Sequence, residues 1–433
     1  MGQQEHTKIS RGLSRSGTSS LGLQLDDLPV SPRVYAADRW LVKKLLAAIG
    51  NPSVAFRLWN GEKIYCCSED PEKTLEIRNR AALFKLLLDP EFNFGELYCS
   101  GDIEVEGDLT DFLVKVYSSI HFKKPTLLSK ALNALHRLRV SGNAPGNSRK
   151  NIYHHYDIGN EFYQHWLDSA AMQYTCAYFP DPGMSLEAAQ TAKMHHVCRK
   201  LQLEPGMEVV EAGCGWGGFA LFMAEHYGVR VSAYNISHQQ ILYARDRAKT
   251  AGLQDRVDFI EDDFRNIEGQ FDRFVSVGML EHIGIENYRE LGEVIDRSLK
   301  PEGFGLIHSI GRNKPCLLNA WIEKRIFPGA CPPSLGQMMA IFEPFPFSVL
   351  DVENLRLHYA KTLEHWLQRF DGNIEVFRKR YDELFVRTWR LYLAGSIAAF
   401  LSGTMQLFQV VFARPKNNRL KWNRSWLYTG DHP

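Results

Sequence analysis

Residues 209–218 read Val-Val-Glu-Ala-Gly-Cys-Gly-Trp-Gly-Gly, with glycine at 213, 215, 217 and 218 directly after an apolar run. Glycines at such a place let the chain turn sharply and let a ligand approach the backbone closely. Gly213, Gly215 and Gly218 satisfy G-x-G-x-x-G, a dinucleotide fingerprint that also wants an acid about 20 residues on, against the ribose hydroxyls. The next strand-like run ends in Tyr234-Asn235-Ile236-Ser237, without that acid. Its absence argues against a dinucleotide. Two histidine pairs, His154-His155 and His195-His196, invite a metal reading. Adjacent residues rarely ligate one ion and no Cys or carboxylate cluster accompanies them, so no metal site is expected.

Such a loop needs a strand before it and a helix after it. Strand-like runs at 207–212, 229–234, 257–260, 271–277 and 304–310 alternate with helix-like ones, one near 218–226 and one that Ser237 could cap. This alternation predicts an α/β fold with a doubly wound parallel sheet. Residues 315–400 break it with a long, aromatic-rich, mainly helical stretch, a natural lid over a substrate site. Upstream, short strand-like runs at 54–58, 63–66 and 74–77 predict a small α+β domain over 33–120. Four segments follow: a disordered tail at 1–32, the small domain, a basic helix with linker at 121–150, and the domain carrying the glycine loop at 151–433.

The loop also reads E-x-G-x-G-x-G from Glu211, and so resembles the nucleoside site of class I methyltransferases that use S-adenosylmethionine. Asp262 or Asp263 stands where those enzymes place an acid against the adenine amino group. Flanking segments keep one order and spacing: His155-Tyr156-Asp157-Ile158-Gly159-Asn160, Met172-Gln173-Tyr174-Thr175-Cys176-Ala177-Tyr178-Phe179, Val277-Gly278-Met279-Leu280-Glu281-His282, Leu306-Ile307-His308-Ser309-Ile310-Gly311, Ile326-Phe327-Pro328-Gly329 and His358-Tyr359-Ala360-Lys361-Thr362-Leu363. Together they resemble the cyclopropane-fatty-acyl-phospholipid synthases and their mycolic-acid relatives. The resemblance implies a Rossmann-like methyltransferase domain that adds a methylene from S-adenosylmethionine across cis double bonds of phospholipid acyl chains. It implies cofactor contacts at Tyr174, Thr175, Glu211, Gly213, Cys214, Gly215, Gly217, Asn235, Ser237, Gln239, Gln240, Asp262 and Asp263. It also implies a bicarbonate ion as base, held by Cys176, Glu281, His308, the backbone at Ile310, and Tyr359. Aromatic faces stabilise a cation without quenching it, and Tyr174, Tyr178, Phe179, Tyr359 and Trp366 are candidates. The same scaffold serves enzymes that leave a methyl or methylene branch, and N-methyltransferases of small amines. Nothing in the residues separates ring closure from branching. A non-catalytic lipid-binding protein is a third reading, against which the intact loop and the Cys, Glu, His and Tyr set argue.

Composition bounds the partners. The 433 residues are 45% hydrophobic and 23% charged, values of a globular chain. Fifty-one Lys and Arg against fifty Asp and Glu leave a net charge of +1, which argues against bulk capture of nucleic acid. Eight cysteines without a C-x-x-C pair fit a reducing, cytoplasmic compartment. The N-terminus lacks an apolar core and is no signal peptide. The uncharged run 391–413 has the length of a membrane span, but its polar residues favour a buried helix running into a core strand, so any membrane contact is peripheral. Residues 121–150 hold seven basic residues and no acidic one. Leu128, Leu132, Leu135 and Leu138 share one helical face there. This fits either attachment to the anionic inner face of the membrane or docking on the protein itself. The resemblance leaves a homodimer open.

Overall fold

The computed structural model describes residues 33–120 and 158–428. The expected tail at 1–32 and the basic segment at 121–150 lie outside the described residues, as do His154, His155, Tyr156 and Asp157. The chain forms two compact units. In the first, β1 (Ala55–Arg57), β2 (Lys63–Ile64), β3 (Thr74–Ile77) and β4 (Ile103–Glu106) form a sheet of order β2-β1-β3-β4. Ile103 and Val105 turn inward from β4 while Glu104 and Glu106 face outward, the period-two pattern of a half-buried strand.

Residues 319–321 and 367–402 belong to this first unit, although the sequence grouped all of 315–400 with the loop-bearing domain. The cause is the helix Glu383–Leu401, capped by Asp382 on the Phe385 N–H at 2.8 Å, which packs on the helices Pro90–Ser100 and Leu109–Ile120. Arg387 donates to Glu104 at 2.9 Å and to the Tyr98 carbonyl at 2.6 Å. The helix is long and apolar enough to cross a membrane by length and composition alone. Its buried side includes Trp389, Tyr392, Leu393 and Ile397, and the uncharged run becomes a strand from Gln406.

The second unit holds a seven-stranded sheet of order β10-β11-β9-β8-β5-β6-β7. Its members are β5 (Glu208–Ala212), β6 (Arg230–Asn235), β7 (Val257–Glu261), β8 (Phe271–Val277), β9 (Leu299–Gly311), β10 (Ser348–Asn354) and β11 (Gln406–Ala413). Strands β5 to β9 pair in parallel, and β11 joins β9 and β10 antiparallel. Successive residues of β5 serve opposite faces: Val209 packs with Val197, Phe219 and Val231, and Val210 with Phe274, Leu291 and Ile307. Burial on both faces is what a parallel sheet covered by helices requires. The strand order reverses between β5 and β8, and ligands of open α/β sheets bind at the strands' carboxyl ends beside such a point. β10 lies inside the stretch read as helical. It is an edge strand with no clean alternation of buried residues, so its sequence carries no period-two signal.

Candidate active site

The glycine loop leaves β5 at the reversal point. Gly217 has φ 76°, and a Cβ there would lie 2.5 Å from the Phe259 ring, so only glycine fits. Gly215 has φ 53°, and a Cβ there would meet nothing within 4 Å: this is the loop's open side, where a ligand can reach the backbone. Gly213 and Cys214 donate their N–H groups to the Tyr234 carbonyl at 2.9 and 3.0 Å, tying the loop to β6. The Cys214 side chain packs in the hydrophobic core, and burial pushes its thiol well above the usual range. Its contribution is backbone only.

At the end of β6, Asn235 donates to the Gly215 carbonyl at 3.2 Å and to Gln240 Oε1 at 2.8 Å, holding the loop at the position that an acid takes in a dinucleotide site. Ser237 occupies the cap position of the helix His238–Thr250 but makes no side-chain cap bond. Gln240 is buried and Gln239 is exposed. After β7, Asp263 caps the turn Phe264–Asn266 and pairs with Arg265 at 3.1 Å. Asp262 accepts from the Asp263 N–H and from Asn266 through Oδ1 alone. Its second oxygen makes it the better candidate for an amino group.

A lysine absent from the sequence reading bonds Thr175 and acts on Glu211 through its charge. Lys193 is buried on the helix Leu186–Lys200 and donates to Thr175 Oγ1 at 3.1 Å and to Gln173 Oε1. Burial draws Lys193 down to about 8 and pushes Glu211 up to about 8, each partly offset by the other's charge. Asp168 accepts from the N–H groups of Ala171 and Gln173, both at 2.7 Å, and fixes the start of the same loop.

A wall of rings runs on from there. Trp216 lies 5.0 Å from Tyr163, Tyr163 lies 5.5 Å from Tyr174, Tyr174 lies 5.3 Å from Trp366, and Trp366 lies 5.9 Å from Tyr359. Tyr178 and Phe179 belong to another stack, on His196 at 4.2 Å and on His365 at 5.6 Å. Thr362 ties the helix Arg356–Gly372, which carries Tyr359, to the neighbouring loop by accepting from the Ala177 N–H at 2.9 Å. Cys176 is fully buried, donates to the Ala177 carbonyl at 3.1 Å, and has its thiol pushed far above the usual range by desolvation. It is a donor here, with no thiolate character.

Glu281 lies on the short helix Leu280–Ile283 that follows β8, and His308 lies within β9, three residues before its end. Glu281 Oε1 accepts from the Ile310 N–H at 2.6 Å, so Ile310 acts by holding Glu281. Glu281 is buried, which raises its carboxyl to about 7, and its Oε2 has no protein partner among the described residues. Gln409, opposite His308 on β11, meets Nδ1 at 3.1 Å. His308 Nε2 is buried and likewise without a protein partner among the described residues. Burial and the charges of Lys193 and Lys200 hold the imidazole neutral. Each is a desolvated polar atom that a small protic oxyanion such as bicarbonate could satisfy. The open face at Gly215 and the ring wall fit a nucleoside bearing a sulfonium.

The model of the mycolic acid cyclopropane synthetase family matches residues 144–410, and that of a domain of unknown function matches residues 41–124. The chain is 44% identical over 268 residues to the cyclopropane-fatty-acyl-phospholipid synthase of Escherichia coli (strain K12), covering 62% of this chain and 68% of that one. It is 33% identical over 393 residues to a probable fatty acid methyltransferase of Pseudomonas putida, covering 86% and 95%. The crystal structure of the mycolic acid cyclopropane synthase CmaA1 complexed with SAH and CTAB matches with a TM-score of 0.58 at 28% identity, covering 61% of this chain and 98% of that one.

Proposed function

Because the chain belongs to the mycolic acid cyclopropane synthetase family, a family of S-adenosylmethionine-dependent methyltransferases, we propose that it converts cis double bonds of phospholipid acyl chains into cyclopropanes, with bicarbonate as base. The observation that carries this reading is the pair of buried, unmatched atoms Glu281 Oε2 and His308 Nε2. S-adenosylmethionine supplies the electrophilic methyl, and bicarbonate the proton acceptor. The glycine loop, Asn235 and Asp262 would hold the nucleoside, and Lys193 sets Thr175 and Tyr174 beside it. An isolated alkene is a weak nucleophile, so the methyl must be held at near-attack distance. The positive charge that attack leaves on the acyl chain is stabilised by the ring faces of Tyr174, Trp366 and Tyr359, which attract a cation electrostatically. Glu281 and His308 would orient the base so that the proton leaves the added methyl and the ring closes. A bilayer-lipid substrate implies an enzyme peripheral to the inner membrane surface, with residues 33–120 contacting lipid.

A second reading is methyl branching of fatty acyl chains, favoured by the near full-length match to the probable fatty acid methyltransferase. Mass spectrometry of unsaturated phospholipid vesicles incubated with the protein, S-adenosylmethionine and bicarbonate tests both. Acyl chains gaining CH₂, with ring protons and no vinyl signal in NMR, are expected. A vinyl or branched-methyl signature selects branching, and no gain despite bound cofactor overturns the lipid substrate.

A further inference from the structure

The helix Leu186–Lys200 presents Lys193, His196 and Lys200 at spacings of three and four, hence on one face, and all three are buried. Lys193 serves the cofactor loop. The other two begin a second chain of contacts. Lys200 Nζ donates to Gln409 Oε1 at 2.7 Å and to Glu353 Oε2. His196 Nε2 meets the same Glu353 oxygen at 2.7 Å. An ammonium only donates, so Lys200 fixes which end of the Gln409 amide faces it: the oxygen. The amide nitrogen then points the other way, to His308 Nδ1 at 3.1 Å. That nitrogen only donates in turn, so Nδ1 must be the bare ring nitrogen and the proton resides on Nε2.

Resting on the assignment of His308 to the reacting site, we propose that Gln409, oriented by Lys200 and Glu353, is a positioning residue that locks His308 as the neutral Nε2–H tautomer and so makes it a fixed donor to an oxyanion. The surroundings of the ring agree: burial and the charges of Lys193 and Lys200 disfavour an imidazolium, and Glu353, which favours one, is paired with Lys200 and hydrogen-bonded by His196, itself pushed towards its neutral form by burial. The chain is no proton exit, because an amide in its middle does not pass a proton along. Its role is to hold one state. A ring free to flip or to change tautomer would present a bare nitrogen to the anion about as readily as a donor.

The tautomer can be read without substrate or cofactor. Ring ¹⁵N shifts of histidine-labelled full-length protein, which has 15 histidines, are compared with those of His308→Gln to assign His308. The expected pattern is a protonated Nε2 and bare Nδ1 that persist from about pH 6 to 8. Gln409→Glu replaces the donor by an acceptor and should move the proton to Nδ1. Turnover should fall about tenfold or more, and the KM for S-adenosylmethionine should hold within about twofold, as for loss of one oriented donor. Lys200→Met frees the amide to flip and should give mixed tautomers, an independent check if Gln409→Glu folds poorly. An Nδ1–H or imidazolium signature in the unmodified protein overturns the lock, as do ring shifts that neither variant changes. A locked tautomer with undiminished turnover in His308→Gln would instead overturn the place of His308 in the reacting site, and with it the donor role.

Discussion

Glu281 is held through one oxygen and exposes none to water, and both facts have consequences that can be measured. Folded, its carboxyl titrates near 7; unfolded, it would titrate near 4.5. Between those values the folded chain keeps a proton that the unfolded chain has released, so this group lowers stability as pH rises, by about 3 kcal/mol across the window. Glu281→Gln keeps an oxygen for the Ile310 N–H and removes the ionisation. The variant should therefore be more stable than the parent at pH 8 and no more stable at pH 4, read by chemical denaturation. Turnover should respond differently. If Oε2 accepts from a bound base it must be ionised, so kcat of the parent climbs through about pH 7 and the variant lacks that limb, with about a hundredfold lower kcat and unchanged cofactor affinity. Parent-like turnover in the variant would remove Glu281 from the chemistry. The residues around these atoms differ in how legible they were. Glu281 and His308 could be placed from their motifs, but Gln409 sits inside the run Leu-Phe-Gln-Val-Val-Phe, where one polar residue reads as tolerated. That a buried amide must find partners was the available signal.

At the scale of elements, the glycine loop was legible because backbone geometry restricts residue type so severely. The helix Leu186–Lys200 was not. Lys193, His196 and Lys200 fall on one face, and a polar helical face ordinarily means solvent, whereas here it lies against β11, β10 and the loop of Gln173 and Thr175. Sequence periodicity gives the stripe but not what covers it. For the same reason the rings at 174 and 178, four residues apart, could not be assigned to separate clusters. The loop itself supports a paired prediction. Gly217→Ala places a Cβ against the Phe259 ring in a left-handed conformation. It should cost about 2–4 kcal/mol of stability from strain and overpacking together. Gly215→Ala meets no protein atom, so its cost should stay near about 1 kcal/mol of backbone strain. Its added methyl faces the open side, and the affinity for S-adenosylmethionine should drop at least about tenfold in calorimetry, from lost close approach. If Gly215→Ala binds the cofactor like the parent, the nucleoside does not approach the loop there.

For the whole molecule, a net charge of +1 gives no general attraction to an anionic bilayer, so any membrane affinity has to be local. The apolar helix Glu383–Leu401 does not supply it in an obvious way, since more than half of its most apolar stretch is buried within the protein. Charge segregation along the chain does: residues 121–150 carry seven cations without an anion. Each cation near an anionic surface contributes about 1 kcal/mol, and the attraction falls off within a Debye length. Arg137 and Arg139 lie outside the described residues, yet their charge alone supports a quantitative expectation. Reversing both to Glu should weaken binding to phosphatidylglycerol-containing vesicles about thirtyfold or more, for about 2 kcal/mol lost before any repulsion is counted. The loss should shrink as salt rises, and affinity for S-adenosylmethionine should stay unchanged because neither arginine is among the proposed cofactor contacts. Turnover on vesicles would then fall through KM, whereas a detergent-dispersed substrate would be processed normally. Unchanged vesicle binding at low salt would mean that the basic segment docks on protein and that the enzyme reaches its lipid by another surface.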